Sequence, residues 1–253
     1  MEFIRLTHEN IEKEHICCAL SNNNDIQVKS KKSWLNDRLD DGLVFLKANV
    51  RGKCFIEYIP AENAWAPINA DGYTYIDCLW VSGQFKGHGY SNLLLEECIN
   101  DSRSQGRKGL VILSSKKKLG FLSDPKYLAY KGFQAADSAS PYFELMYLPF
   151  DDNAEKPHFR KCAKDNFTDM ADGFTLYYTS QCPFTAKYVP LLEDIARSKN
   201  VPINIVHIDT KDAAQKCPSA FTAFALFYNG EFVTHEILSE KKFEKILSEK
   251  GFA

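Results

Sequence analysis

The stretch Tyr73–Cys98, YTYIDCLWVSGQFKGHGYSNLLLEEC, decides how this chain is read. It opens with a β-rich run, Tyr73 to Val81, followed by a turn-forming segment with three glycines, Ser82 to Gly89. Leu93, Leu94, Glu97 and Cys98 then recur at helical spacing. A strand, a glycine loop and a helix in this order aim backbone N–H groups and a helix N-terminus at an anion. Glycine lets the main chain come close to that anion with no Cβ in the way. Lys86 and His88 add positive charge inside the loop. Two familiar phosphate loops do not fit. There is no Gly-Lys-Ser/Thr ending, and Gly87 and Gly89 are followed by no third glycine before Gly106.

On either side of this stretch the chain alternates strands and helices. Upstream, Phe3 to Leu6 reads as a strand, and Thr7 is placed to cap a helix from His8 to about Leu20. A second helix is expected from Lys29 to about Leu39, with Trp34 and Leu35 on its apolar side and its lysine run on the solvated face. Leu43–Ala48 and Cys54–Ile59 form a hairpin around Asn49-Val50-Arg51-Gly52. The loop from Pro60 to Gly72, with Trp65, is expected to shape a substrate mouth. Downstream, the apolar run at Gly109–Ser114 reads as a strand buried on both faces. A short helix, Lys126 to about Lys131, precedes Gly132-Phe133, and Tyr142–Leu148 closes the sheet.

The loop frame Lys86-Gly87-His88-Gly89-Tyr90-Ser91 resembles the acetyl-CoA pyrophosphate loop of the GNAT acyltransferases, with Lys at its first position and Ser at its last. The order β-α-α-β-β-β-α-β-α-β-β over residues 1–150 is that of the same family. The resemblance implies an N-acetyltransferase domain with a mixed central sheet and acetyl-CoA as cosubstrate. It places the loop amides on the pyrophosphate and Leu79, Trp80 and Val81 beside the pantetheine and thioester. The acyl group arrives activated, so the enzyme must polarise the thioester carbonyl and take a proton from the attacking amine. Glu57, Asp77 and Glu144 are the candidate bases, and each is equally readable as a solvated strand residue. The family's frequent tyrosine acid falls here on Leu128, flanked by Tyr127 and Tyr130, which are readable as acids or as packing residues.

A charged stretch, 151–172, is expected as a linker, after which the pattern restarts. Phe174–Tyr178, a helix to about Lys199, Ile203–Ile208, Phe224–Tyr228, an Asn229-Gly230 turn, Glu231–Ile237 and a helix from Ser239 follow. This order over 173–253 resembles a smaller thioredoxin-like α/β domain, and YTSQCPFT resembles a glutaredoxin-type loop with Cys182 at the attacking position. A helix N-terminus lowers a thiol's pKa, so Cys182 is expected to be the most reactive of the eight cysteines. Thr185 holds the resolving position and is expected to hydrogen-bond the sulfur. The two halves together resemble the YoaP-type acetyltransferases.

The balance of 31 basic against 33 acidic residues gives a net charge of −2, which points away from nucleic acid and membrane surfaces. No apolar run approaches membrane-span length. The eight cysteines include no C-x-x-C pair, and the charged N-terminus is unlike a signal peptide, so a reducing cytoplasm is expected. No metal site is expected. The leading reading is direct transfer of an acetyl group to an amine of a small molecule or peptide, with the C-terminal domain selecting or recruiting the acceptor. The alternative is a thiol-redox or thiol-binding protein using Cys182, with the first half as an acyl-CoA sensor.

Overall fold

The structure, a computed structural model, describes residues 2–19, 21–151, 153–170 and 172–252. Its first half runs β1 (Phe3–Arg5), α1 (Ile26–Leu39), β2 (Val44–Ala48), β3 (Cys54–Pro60), β4 (Ile68–Asn69), β5 (Thr74–Val81), α2 (Tyr90–Ser104), β6 (Gly109–Ser115), α3 (Pro125–Tyr130), β7 (Gln134–Ala139) and β8 (Phe143–Pro149). All but β4 form one sheet in the order β1-β2-β3-β5-β6-β8-β7. Only β5 and β6 run parallel, and they pair only from Thr74–Ile76 to Leu110–Ile112 before parting. One strand earlier, Tyr58 pairs with Ile76 and Glu57 with Cys78, so Asp77 is the extra residue of a β-bulge. The mixed α/β architecture and mixed sheet are those expected of this half.

The alternation of side chains along these strands separates two cores. On one face Ile56, Tyr58, Ile76 and Ile112 pack with Leu94, Leu95 and Cys98 of α2 and Leu128 of α3. On the other, Phe45, Phe55, Tyr75 and Val111 pack with Trp34 and Leu35 of α1. That second core does not stop at the first half: Ile208, Ala214, Cys217 and Ala220 belong to it.

The remainder runs β9 (His158–Phe159), α4 (Lys161–Asp165), β10 (Phe174–Tyr178), α5 (Pro183–Ser198), β11 (Ile203–His207), α6 (Lys211–Gln215), β12 (Phe224–Tyr228), β13 (Glu231–Thr234) and α7 (Glu240–Glu249). Its four-stranded sheet has the order β11-β10-β12-β13, with β10 and β11 parallel and the other pairs antiparallel. Phe174, Leu176, Leu192, Phe224, Phe243 and Leu247 form a core of its own.

Several expectations are corrected. Residues 8–19 form turns rather than a helix, and Leu20, the expected end, lies outside the described residues. Asn10 explains this locally: its side chain accepts from the Thr7 N–H and donates to the Arg5 carbonyl, offering the backbone a turn in place of a helix. The lysine run of α1 is not its solvated face, because Lys31 and Lys32 are 1% and 4% exposed. Edge strand β7, QAADSA, carries too little apolar alternation to be read from sequence. The stretch 151–172 contains β9, which pairs with β4, and buries Phe159 and Ala163 in the shared core. In the loop from Pro60 to Gly72, Trp65 meets Trp34 edge-on, its carbonyl accepts from Thr222 at 2.6 Å, and its side chain helps to line a cleft beside α1.

Candidate functional site

After β5, Gly83–Phe85 makes one tight turn, and α2 begins at Tyr90. Gly87 and Gly89 hold φ of 80° and 76°, where a Cβ is strained even though nothing lies within 4 Å of where it would be. Gly89 is the N-cap of α2 and brings no side chain to its amides. The backbone N–H groups of Gly87, His88, Gly89, Tyr90 and Ser91 donate to no group among the described residues. Five consecutive open donors stand at the start of a 15-residue helix, an arrangement able to take an anion. Lys86 and His88 flank it, and His88 stacks on Tyr90 with ring centroids 5.7 Å apart.

The parting of β5 and β6 opens a wedge that starts at the same loop. Leu79, Trp80 and Val81 still pair with Ile56, Phe55 and Cys54 of β3, but their other edge, toward β6, has no ladder partner among the described residues. A main-chain edge of this kind presents donors and acceptors to an extended guest.

The wedge ends at a buried group of charges on the α1 face of the sheet. Lys31 Nζ lies 2.8 and 2.6 Å from the two carboxylate oxygens of Glu57 and donates to the Gln181 carbonyl at 2.7 Å. Gln181 also donates from Nε2 to Asp77 Oδ1 at 2.8 Å. One residue of the second half thus joins α1 to β5, and Lys31 carries the link on to β3. Burial, then the Glu57 charge, raises the Asp77 carboxyl well above the usual range, while Lys31 and the Gln181 bond oppose this. Burial alone would depress Lys31, but the Glu57 charge and other neighbours outweigh it, and the net shift is upward.

The model of the YoaP-like family matches residues 202–245. The chain is 44% identical over 249 residues to the uncharacterized N-acetyltransferase YoaP of Bacillus subtilis (strain 168), covering 98% of this chain and 99% of that one. The chain belongs to the YoaP family of N-acetyltransferases. Among solved structures it is similar to the GNAT N-acetyltransferase YhbS of Escherichia coli in complex with CoA, with a TM-score of 0.41 and 14% identity over 63% of this chain and 89% of that one. A GNAT acetyltransferase of Brucella melitensis in complex with acetyl-CoA gives 0.39 and 16% over 61% and 91%.

In this YoaP-family chain the other candidates are scattered. Tyr127 on α3 donates its hydroxyl to the Ser91 carbonyl at 3.0 Å, which brings it to the start of α2. Tyr130 is 80% exposed, with Lys131 over its ring. Glu144 is half-buried on β8, paired across to Ser114 and Ser138. Glu57, with both oxygens on one ammonium, is the partner of Lys31 rather than a free proton acceptor.

Cys182 caps α5 and is half-buried, and burial pushes its thiol up to about 11, opposed by the Phe184 N–H and by Lys31. The expectation of an activated thiolate is therefore corrected: desolvation against the first half outweighs the helix terminus. Thr185 does not serve the sulfur either, since its hydroxyl lies 2.9 Å from the Thr179 carbonyl and 2.7 Å from the Cys182 carbonyl. Sequence reasoning missed Lys31 and Gln181. The one signal for Lys31 was its position three residues before Trp34, on the apolar side of α1. Among the described residues no helix is long and apolar enough to cross a membrane.

Proposed function

We propose that the chain moves an acetyl group from acetyl-CoA directly to an amine, with Asp77 as the general base. The observation that carries this is the wedge between β5 and β6, which runs from five open amides to a buried carboxyl held by the second half. On this reading the amides of Gly87 to Ser91, with Lys86 and His88, take the pyrophosphate, and Leu79, Trp80 and Val81 line the pantetheine and thioester. The acceptor's ammonium gives a proton to Asp77 and its nitrogen attacks the thioester carbonyl. The C–N bond forms and the C–S bond breaks; the nitrogen's second proton passes to solvent, the departing sulfur takes one from a neighbouring acid that solvent reprotonates, and CoA leaves as the thiol. Tyr127 is the candidate to protonate the departing sulfur, since burial raises its phenol and keeps it protonated. Glu144 and Tyr130 are left without an assigned step.

The second half supports acceptor selection by its position, because Gln181 and Cys182 close the α1 face of the sheet beside Asp77. Its strand order and the helix after Cys182 support the thioredoxin-like reading, with domains at 1–150 and 173–253 and a docked connection between them. The thiol-redox alternative is not favoured, given the raised thiol of the half-buried Cys182. A cytoplasmic location is part of the proposal, in keeping with eight free cysteines. Calorimetry with acetyl-CoA, followed by a screen of amines read by free CoA, tests the reading. Measurable binding of acetyl-CoA and release of CoA with at least one amine are expected, and absence of acetyl-CoA binding overturns it.

A further inference from the structure

A cleft of about 270 Å³ opens between α1 and the second half, lined by Trp34, Asp37, Arg38, Ser180, His207 and Asp209 among others. Ser30 and Ser180 in its wall are the sequence neighbours of Lys31 and Gln181 in the buried group already described. Its most unusual member is Arg38. The guanidinium lies 3.7 Å from the centroid of the Trp34 ring and 4.1 Å from that of Trp65, and the residue is 9% exposed. Two indole faces favour a cation there. A buried cation nevertheless calls for an anion with good hydrogen-bond geometry, and among the described residues Arg38 has none. Its nearest carboxylate oxygen is that of Asp37 at 3.7 Å, on a side chain 61% exposed. Nη1 donates to the Trp34 carbonyl. Arg38 Nε and Trp34 Nε1 are buried with no partner among the described residues. Two orphaned donors and a cation with one loosely held counterion therefore belong to residues that line one cleft, and buried donors of this kind are normally satisfied.

We propose that this cleft is the acceptor subsite and that it takes an amine carrying a carboxylate, the carboxylate seated on Arg38 and Trp34 and the amine directed toward Asp77. This rests on the transferase reading and narrows its acceptor. A planar guanidinium matches a carboxylate with two parallel bonds. Arg38 and Asp77 feel each other's charge, so the two ends of the acceptor have neighbouring anchors of opposite sign. The cleft is at the small end for ligand pockets, which suits an amino-acid-sized molecule better than a folded substrate. Asp37 and Asp209, at the rim, disfavour a second negative charge, so a monocarboxylate is preferred.

The test uses the full chain and a panel of standard L-amino acids, each against its primary amide, with glycylglycine and its amide as a longer carboxylate. Two readouts run in parallel: CoA release, and quenching of tryptophan fluorescence, since Trp34 and Trp65 are two of the chain's three tryptophans. At least one acid should outperform its amide about tenfold or more, because a buried donor left unpaired penalises the analogue lacking the group. Arg38→Met should erase that preference by raising KM for the acid alone, and Arg38→Lys should keep part of it. A dipeptide that beats the free amino acids would assign the same subsite to a peptide C-terminus. If no acid beats its amide in either readout, or if Arg38→Met weakens both equally, the subsite is wrong. The acid-against-amide comparison is made on the parent protein, so it decides the matter even if the variant misfolds. Transfer without an acid preference sinks the subsite and leaves the transferase reading standing. Acid-selective quenching without acetyl-CoA binding in calorimetry does the reverse.

Discussion

The glycine loop and the buried charges at the other end of the wedge are built on opposite principles. The loop works through its backbone: open amides, three glycines at positive φ and a helix start, all within residues 83–91. Its donors need no partner inside the protein because the loop lies open to solvent. The buried group works through side chains from α1, β3, β5 and the start of α5, and every member needs another to be tolerable in a low dielectric. Changes in the loop should therefore be local and binding-specific. Changes in the buried group should spread to folding, pH dependence and both halves at once.

The sharpest way to break that contrast is Asp77→Asn. Loss of a general base costs on the order of 10²- to 10⁴-fold in rate, with acetyl-CoA affinity in calorimetry unchanged. Stability should move the other way. A carboxyl whose folded pKa is raised binds its proton more tightly in the folded state, so stability is lost as pH rises from the ordinary carboxyl value, 3.8, toward the higher folded value. Asn carries no such loss, so the variant should melt higher than the parent at about pH 8, with the gap closing as pH falls toward the ordinary carboxyl range. A variant that transfers normally would move the base elsewhere.

Next in size is the ion pair. Glu57→Gln leaves the Lys31 ammonium buried without its counterion, at a cost of about 3–5 kcal/mol. Replacing both partners, Lys31→Met with Glu57→Leu, should recover most of that, because two apolar groups need no compensation. Urea unfolding of the parent and both variants measures this. Equal losses for the single and double replacements would mean that the pair serves by its shape rather than its charge.

Gly89→Glu addresses the loop. A side chain at φ 76° is strained by on the order of 1 kcal/mol, and its carboxylate would face the proposed phosphate. Acetyl-CoA binding should fall at least tenfold, while the melting temperature changes by a few degrees. Unaltered affinity would place the cosubstrate somewhere other than the loop.

The same contrast explains what could be read from the sequence. The loop is contiguous, and its glycines, flanking strand and helix are all local signals, so residues 73–98 are directly legible. The second half's strands and its Asn229-Gly230 turn, at φ 49° and 82°, are equally local. The buried group was out of reach because its members are far apart in sequence: Lys31 meets the Gln181 carbonyl across 150 positions, and Gln181 meets Asp77 across 104. A lysine run reads as a solvated face until a second body is known to cover it. The turns at 8–19 were missed for a different reason, since Asn10 bonds its own neighbourhood in a way that apolar periodicity does not register.

The smallest expected effect is that of Cys182→Ser, and it decides whether the second half acts by chemistry or by position. With burial pushing the thiol up to about 11, the thiol form prevails at pH 7. Iodoacetamide should therefore label Cys182 slowly in the folded chain and at an ordinary rate in urea, by peptide mass mapping. Serine is at least as good as cysteine at a helix N-cap, and the Gln181 contacts to Lys31 and Asp77 come from the preceding residue. Transfer should then stay within about twofold of the parent and stability within roughly 0.5 kcal/mol. A variant that binds acetyl-CoA but transfers to no acceptor would put the sulfur in the reaction path. Cys182 would then carry the acyl group between thioester and amine, and the division of labour between an open loop that binds and a closed face that positions would have to be redrawn.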